Sequence, residues 1–343
     1  MRHIKAFIYI PSIAFLFLSN ACEKAVLTDD PGHDPINVFD ALWQDLDNRY
    51  SYFNVKSIDW DSVRTVYRPK VQMSMTEIEL VDLLADMLFV LKDGHVNLQS
   101  SFDRSRNWTW FLDYPPNFNP TIIERTYLGT TFRQMGPFRV QTIDDNVYAY
   151  YGSFASTIEE THLDALLELA EGKKGIIVDI RNNGGGSLQN ARRIASCFID
   201  KPYVYARSRI KTGPGENDFS GWKNLIIEPR EGKKHTGNVV VLTNRNCYSA
   251  ANSFAQMASV LPNTVLIGSQ TGGGGGTPVY AELPNGWIYR FSATQTINPE
   301  GEHIEFGVPV DVEANLTIQD ELAGIDTVIE TALNWLDDAY KKN

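Results

Sequence analysis

Cysteine is nearly absent from this chain: there are three in 343 residues, at Cys22, Cys197 and Cys247. So few cannot build the disulfide framework of a small secreted domain, and a buried apolar core has to hold the fold instead. Positive charge is also in short supply. Lys and Arg number 31 against 42 Asp and Glu, for a formal net charge of −11, which excludes nucleic acid as a natural partner. Beyond the N-terminal segment, no apolar run approaches the ~20 residues that cross a bilayer as a helix. The glycines lack the G-x-G-x-x-G spacing of a dinucleotide site, and no Gly-Lys-Ser/Thr closes a phosphate loop. Nothing in the pattern calls for a metal or any other cofactor. Otherwise, 43% apolar and 21% charged residues describe an ordinary globular protein, long enough for one large domain or two modest ones.

Three segments carry chemistry. The apolar run Val239–Leu242 leads through Thr243-Asn244-Arg245-Asn246-Cys247-Tyr248 to Ser249, and a small-residue helical pattern starts at Ala250. A serine at such a strand-to-helix junction sits among free N–H groups and the positive end of a helix dipole, and there it can attack a carbonyl. The simpler reading is an N-cap serine. The second segment, Gly175–Ile180, runs into Arg181-Asn182-Asn183-Gly184-Gly185-Gly186, and glycines at a strand end let backbone N–H groups approach a ligand. A tight turn is the alternative. The third is the turn Leu91-Lys92-Asp93-Gly94-His95, whose histidine is a candidate base or a structural residue.

Together and in this order, these segments resemble the C-terminal processing (tail-specific) serine peptidases, in their tricorn-core-like branch. The family's "L-x-D-x-H" turn corresponds to Leu91–His95, its "D-x-R-x-N-x-G-G" loop to Asp179–Gly186, and its serine motif to Tyr248-Ser249-Ala250. Its closing "G-V-x-P-D" appears as Gly307-Val308-Pro309-Val310-Asp311, with the proline one place early. The likeness runs from about residue 36 to 335. It implies Ser249 as nucleophile and a peptide or unfolded protein as substrate. One branch activates its serine with a lysine from the loop after the next strand. Here that loop, Gly268 to Gly276, has no lysine. The resemblance then implies His95 as base, with Glu305 as the residue that orients it. The oxyanion hole would combine the N–H of Ala250 with one from Gly184 or Gly185.

Other residues compete weakly. His162 and His235 read as surface residues, while His303 lies in the closing block and is the one rival base. Cys247 stands before the helix start rather than at it, which disfavours a thiol nucleophile, and Cys197 reads as a buried hydrophobe. Gly272 to Gly276 is either a plain mobile loop or a wall of the substrate cleft, with Gly272, Gly273 and Gly274 pairing an extended peptide.

The N-terminus, Met1-Arg2-His3-Ile4-Lys5 followed by apolar Ala6–Leu18, has the form of an export signal. It ends Ser19-Asn20-Ala21-Cys22 and resembles a bacterial lipoprotein signal over 1–22, with Cys22 lipidated and contact with a membrane through that lipid alone. Residues 23–35 read as a tether. Helical periodicity marks a small N-terminal helical domain over 36–103, with Thr76 and Glu79 as a capping box. Residues 104–144 read as a connecting segment too short for a PDZ domain. The core, 145–340, alternates strands and helices and ends in a helix from Asp320 to Tyr340, which gives an α/β (α+β) class. The resemblance implies a crotonase- and ClpP-like spiral of ββα units. The expected function is an envelope-anchored serine endopeptidase. A non-catalytic binding module of the same fold is the alternative, and hydratase chemistry lacks the basic cluster that a CoA would need. The sequence leaves the oligomeric state open.

Overall fold

The computed structural model describes residues 32–105 and 114–342. The expected export signal, Cys22 and most of the expected tether lie outside the described residues. Among the described residues no helix is long and apolar enough to cross a membrane.

The N-terminal part folds as its caps and periodicity dictate. Helix α1 (Pro35–Arg49) starts where the Asp34 carboxylate accepts the N–H groups of Ile36 and Asn37, and it buries Val38, Phe39, Leu42, Trp43 and Leu46. Helix α2 (Trp60–Tyr67) follows, and α3 (Glu77–Phe89) opens with the expected reciprocal Thr76–Glu79 capping box. After α3 the chain turns at Lys92, which has φ 42°, and strand β1 (Asn97–Gln99) begins just past His95.

This helical region does not close its core alone. β1 pairs with β11 (Ile288–Ser292), which pairs with β10 (Pro278–Glu282). The hairpin between them turns at Pro284-Asn285-Gly286, with Gly286 at φ +83°. Trp287, Tyr289 and Phe291 from that hairpin pack into one apolar cluster with Phe39, Leu42, Leu84 and Leu88. The sequence boundary between 36–103 and the later core is therefore not a boundary in space.

The main sheet holds seven strands in the order β13-β9-β8-β5-β4-β3-β2. They are β2 (Arg133–Met135), β3 (Phe138–Ile143), β4 (Asn146–Tyr150), β5 (Gly175–Asp179), β8 (Asn238–Thr243), β9 (Thr264–Gly268) and β13 (Val312–Glu313). From β4 to β13 neighbours are parallel, while β2–β3–β4 is an antiparallel meander. The expected connecting segment thus supplies an edge of the main sheet.

Alternate residues of the central strands face different cores. Ile176, Val178, Val239 and Val241 meet helices α5 (Glu160–Leu169), α6 (Leu188–Ser196) and α7 (Ala250–Ser259). Ile177, Val240 and Leu242 meet the other layer, which is why these strands read as unbroken apolar runs. That layer includes a helical turn α4 (Pro120–Ile122) continued by a π-helical stretch to Leu128, and the C-terminal helix α9 (Thr327–Lys342). A third sheet, β12-β6-β7, joins Thr294–Ile297 to Tyr203–Ile210 and Lys223–Ile227. The single final helix expected from 320 is broken. α8 (Ile318–Ala323) ends at Gly324 in the left-handed region, and α9 restarts behind Asp326.

Two features fix the C-terminal ends of β5 and β8. Arg181, with no solvent exposure, is held by Asp179 at 2.7 Å and by Asp326 at 3.0 Å. Asp179 also accepts from Tyr148 at 2.8 Å, and Asp326 caps α9 through the N–H groups of Val328 and Ile329. The second feature is the run Gly272–Gly276, which is buried rather than a mobile loop. Gly273 has φ +91°, and a Cβ there would lie 1.9 Å from the Glu305 carbonyl oxygen; at Gly274 it would lie 2.5 Å from the Tyr248 ring.

Arg181→Ala leaves two carboxylates buried without their counter-ion, and we expect a loss of about 3–5 kcal/mol in urea unfolding. Gly273→Ala combines a left-handed backbone with a clash against main chain, and the same measurement should show a loss of about 2–3 kcal/mol. A loss below about 0.5 kcal/mol in either variant contradicts the packing described.

Candidate active site

Ser249 stands where β8 hands over to α7, in a backbone conformation of φ 57° and ψ −119°. A non-glycine residue pays about 1–3 kcal/mol for such a geometry, so the surroundings must impose it. They do so through backbone bonds: the Ser249 N–H donates to the Gly273 carbonyl at 2.9 Å, and the Ser249 carbonyl accepts from Ser253 at 2.9 Å. Gly185 presses on the other side, since a Cβ there would come within 2.6 Å of the Tyr248 carbonyl and 2.9 Å of the Ala250 nitrogen. The hydroxyl caps no helix N–H, so the N-cap reading of Ser249 fails. It meets His95 instead, with Oγ 2.9 Å from Nε2.

His95 is buried, and its turn is pinned from several sides. Its N–H donates to Asp93 Oδ1 at 2.8 Å, and Arg290 of β11 donates to its carbonyl at 2.8 Å. Gly94 admits the Tyr248 ring, which a Cβ would meet at 2.9 Å. Burial pushes the imidazole down to about 4; the Asp93 carboxylate opposes this, while Arg290 and Lys56 add to it. At neutral pH the ring is uncharged and has a lone pair to offer.

The other face of the ring departs from expectation. Glu305 does not contact it. The Glu305 carboxylate lies 2.7 Å from Lys56 Nζ and accepts the Gly275 N–H at 2.9 Å. Burial holds this carboxyl above its ordinary range, against the pull of Lys56. Toward Nδ1 stand the Ser292 hydroxyl at 3.4 Å and Asp93 Oδ1 at 4.0 Å. Asp93 shares the turn that singled out His95 and could have been chosen from the sequence. Ser292 and Lys56 carry no local signal, since only the tertiary packing of β11 and of the turn after α1 brings them here.

The N–H groups beside Ser249 separate cleanly. Ala250 N–H opens α7 and, among the described residues, has no hydrogen-bond partner; nor does that of Gly184, which is exposed. Gly185 N–H is already given to Asn183 Oδ1 at 3.0 Å, which removes Gly185 from the expected oxyanion donors. The glycine run offers no free strand edge either. Gly272 N–H goes to the Cys247 carbonyl, the Gly273 carbonyl takes Ser249, and Gly274 N–H goes to the Glu305 carbonyl. The Gly273 carbonyl and the Gly274 N–H are thus engaged within the fold. Gly272 alone borders a cavity of about 480 Å³, walled by Val55, Val90, Leu91 and Phe306 with Lys92 and Arg245.

The rivals fall away. His303 stacks edge-on against Tyr52 and has no contact with Ser249 among the described residues. Cys247 is buried, donates to the Ile180 carbonyl at 3.0 Å, and has its thiol pushed up to about 12 by burial. His162 caps α5 through Nδ1, and Cys197 is a buried thiol. Among the described residues no cluster of His, Cys, Asp and Glu could hold a metal.

Comparison with known proteins agrees with this architecture. Residues 147–314 match the profile of peptidase family S41, and residues 33–89 match the tricorn protease C1 domain. A solved structure from Parabacteroides merdae, described as a candidate peptidase, is 40% identical with a TM-score of 0.84, covering 89% of this chain and 97% of that one. The carboxy-terminal processing protease CtpA of Bacillus subtilis is 29% identical over 176 residues, 51% of this chain but 36% of the relative. The match thus spans about a third of that curated protein's length. The tricorn protease shares the fold, with a TM-score of 0.53 at 16% identity, over 90% of this chain and 37% of that one. The sheet, the N-terminal helices and these likenesses lead to one conclusion: the chain belongs to peptidase family S41.

Proposed function

We propose that the protein is a serine endopeptidase that cleaves peptides or unfolded proteins through Ser249 and His95. The observation that carries this reading is the 2.9 Å contact between His95 Nε2 and a serine hydroxyl held in a strained turn at a helix start. His95 takes the Ser249 proton as Oγ attacks the carbonyl carbon, and the oxygen of that carbonyl becomes an oxyanion. The N–H groups of Ala250 and Gly184 face this charge and stabilise it. His95 then returns the proton to the leaving amine, and water hydrolyses the acyl-enzyme by the same steps in reverse. No side chain needs a metal for any step. We further infer that lipid on Cys22 holds the protein on a bacterial envelope, a reading supported by the basic start, apolar stretch and Ala21-Cys22 junction of the sequence.

Digestion of an unfolded protein such as casein, followed by mass spectrometry, tests the chemistry. Ser249→Ala and His95→Ala should each lower turnover by at least about 10³-fold without loss of fold. Full activity in Ser249→Ala, or none in the wild type, would remove the peptidase reading. Because His95 must be neutral and its value lies near 4, kcat/KM should stay level as pH falls from 8 to about 5. It should then drop about tenfold per unit below about 4. An acid limb near 6.5 would contradict the buried, shifted imidazole. Radiolabelled palmitate should enter the wild type and not Cys22→Ala; equal labelling would refute the anchor.

A further inference from the structure

We propose that Ser292 bridges Asp93 to His95 and so fixes which ring nitrogen of His95 carries the proton. Asp93 then fills the orienting role that the family resemblance implied for Glu305. The inference rests on reading His95 as the base, and Ser292 and Asp93 are positioning residues that act through it.

The geometry gives each atom one role. Nε2 faces Ser249 Oγ at 2.9 Å, and Nδ1 faces Ser292 Oγ at 3.4 Å. Asp93 Oδ1 lies 4.0 Å from the same nitrogen, and the Ser292 hydroxyl helps hold the Asp93 carboxyl below its ordinary range, as a donor to it does. An ionised carboxylate can only accept, so the single Ser292 proton goes to Asp93, and the lone pairs of its oxygen are left for Nδ1. Nδ1 must then be the protonated nitrogen. Nε2 keeps its lone pair for the Ser249 proton. During acylation the proton moves from Ser249 Oγ to Nε2 and on to the leaving nitrogen, while the Nδ1 proton stays in place throughout. The 3.4 Å separation is long for a formed bond and suits a contact that shortens once the ring is charged.

Asp93 is built to remain an acceptor. The groups around it are all donors: the His95 N–H at 2.8 Å, Tyr50 Oη at 3.2 Å and Tyr248 Oη at 3.3 Å. Ser292 is equally constrained. Its carbonyl accepts from the Ser51 N–H and hydroxyl, both at 3.0 Å, and a Cβ at Gly276 would lie 2.5 Å from its own Cβ. Glu305 is engaged elsewhere, with Lys56 and the Gly275 N–H.

The test uses the full-length chain labelled with ¹⁵N in its six histidines, the His95 signals being identified by their loss in His95→Gln. In the wild type at pH 7 the neutral ring should be the Nδ1–H tautomer. Ser292→Ala should give a mixture of tautomers and lower kcat by about 10²-fold with little change in KM. Ser292→Thr, which restores the hydroxyl, should recover both. Asp93→Asn, nearly isosteric and able to donate to Ser292, should shift the ring toward Nε2–H and lower kcat by about 10⁴-fold. Retention of the Nδ1–H tautomer in both Ser292→Ala and Asp93→Asn overturns the bridge. A tautomer change in a protein that cleaves nothing would uphold the bridge while removing the peptidase reading. Cleavage that needs Ser249 but is indifferent to Ser292 would do the reverse.

Discussion

Everything at the C-terminal edge of the main sheet depends on how Arg181 is held. A guanidinium with no solvent exposure lies between two carboxylates, Asp179 from the end of β5 and Asp326 from the start of α9. Burying three charges is costly unless every donor and acceptor is matched. Here the matching is supplied by Tyr148, by the first N–H groups of α9, and by the Arg181 N–H, which donates back to Asp179 at 3.0 Å. The result ties a central strand, a helix on one face and the following loop into one rigid corner. From that corner Asn182 accepts from Asn244 and Asn246, both at 2.8 Å, and Asn183 takes the N–H groups of Phe154 and Gly185. Gly185 is thereby set against the Ser249–Ala250 peptide. The electrostatic corner thus reaches Ser249 through a chain of short, directional bonds.

A second polar cluster lies beneath His95 and follows a different logic. Asp93, Glu305, Lys56, Tyr50 and Tyr248 are all buried or nearly so. Lys56 neutralises one carboxylate, while the His95 N–H and the Tyr50 and Tyr248 hydroxyls are among the donors to the other. Burial is the largest pull toward a neutral imidazole, Arg290 and Lys56 add to it, and Asp93 opposes it. An imidazole with so low a resting affinity for protons needs a fixed negative charge close by whenever it takes one, and Asp93 Oδ1 lies 4.0 Å away.

The sequence made the site legible where function and local structure coincide. Ser249, His95 and the Asp179–Gly186 loop stand at element ends, and there a strand or helix pattern stops at polar or small residues. The Thr76–Glu79 box was readable for the same reason. What was not readable depends on tertiary contact. Glu305 and Ser292 differ in role only because Lys56, far away in the chain, claims the first. Five consecutive glycines suggested freedom, yet at Gly273, Gly274, Gly275 and Gly276 neighbouring atoms occupy the space a Cβ would need. The break before α9 at Gly324 was visible as a glycine but not as a helix end, since the apolar periodicity continues across it. Nor does the sequence place strands β10 and β11 in the N-terminal core, which they complete.

That last point bears on synthesis of the chain. The histidine turn belongs to a core that is completed only by Trp287, Tyr289 and Phe291, and Arg290 and Ser292 on the same strand hold the turn itself. A polypeptide emerging from the ribosome therefore presents Ser249 well before it can present a seated His95. A fragment ending between residues 250 and 287 has both side chains and lacks the strand that brings them to each other, so the two meet only late in translation.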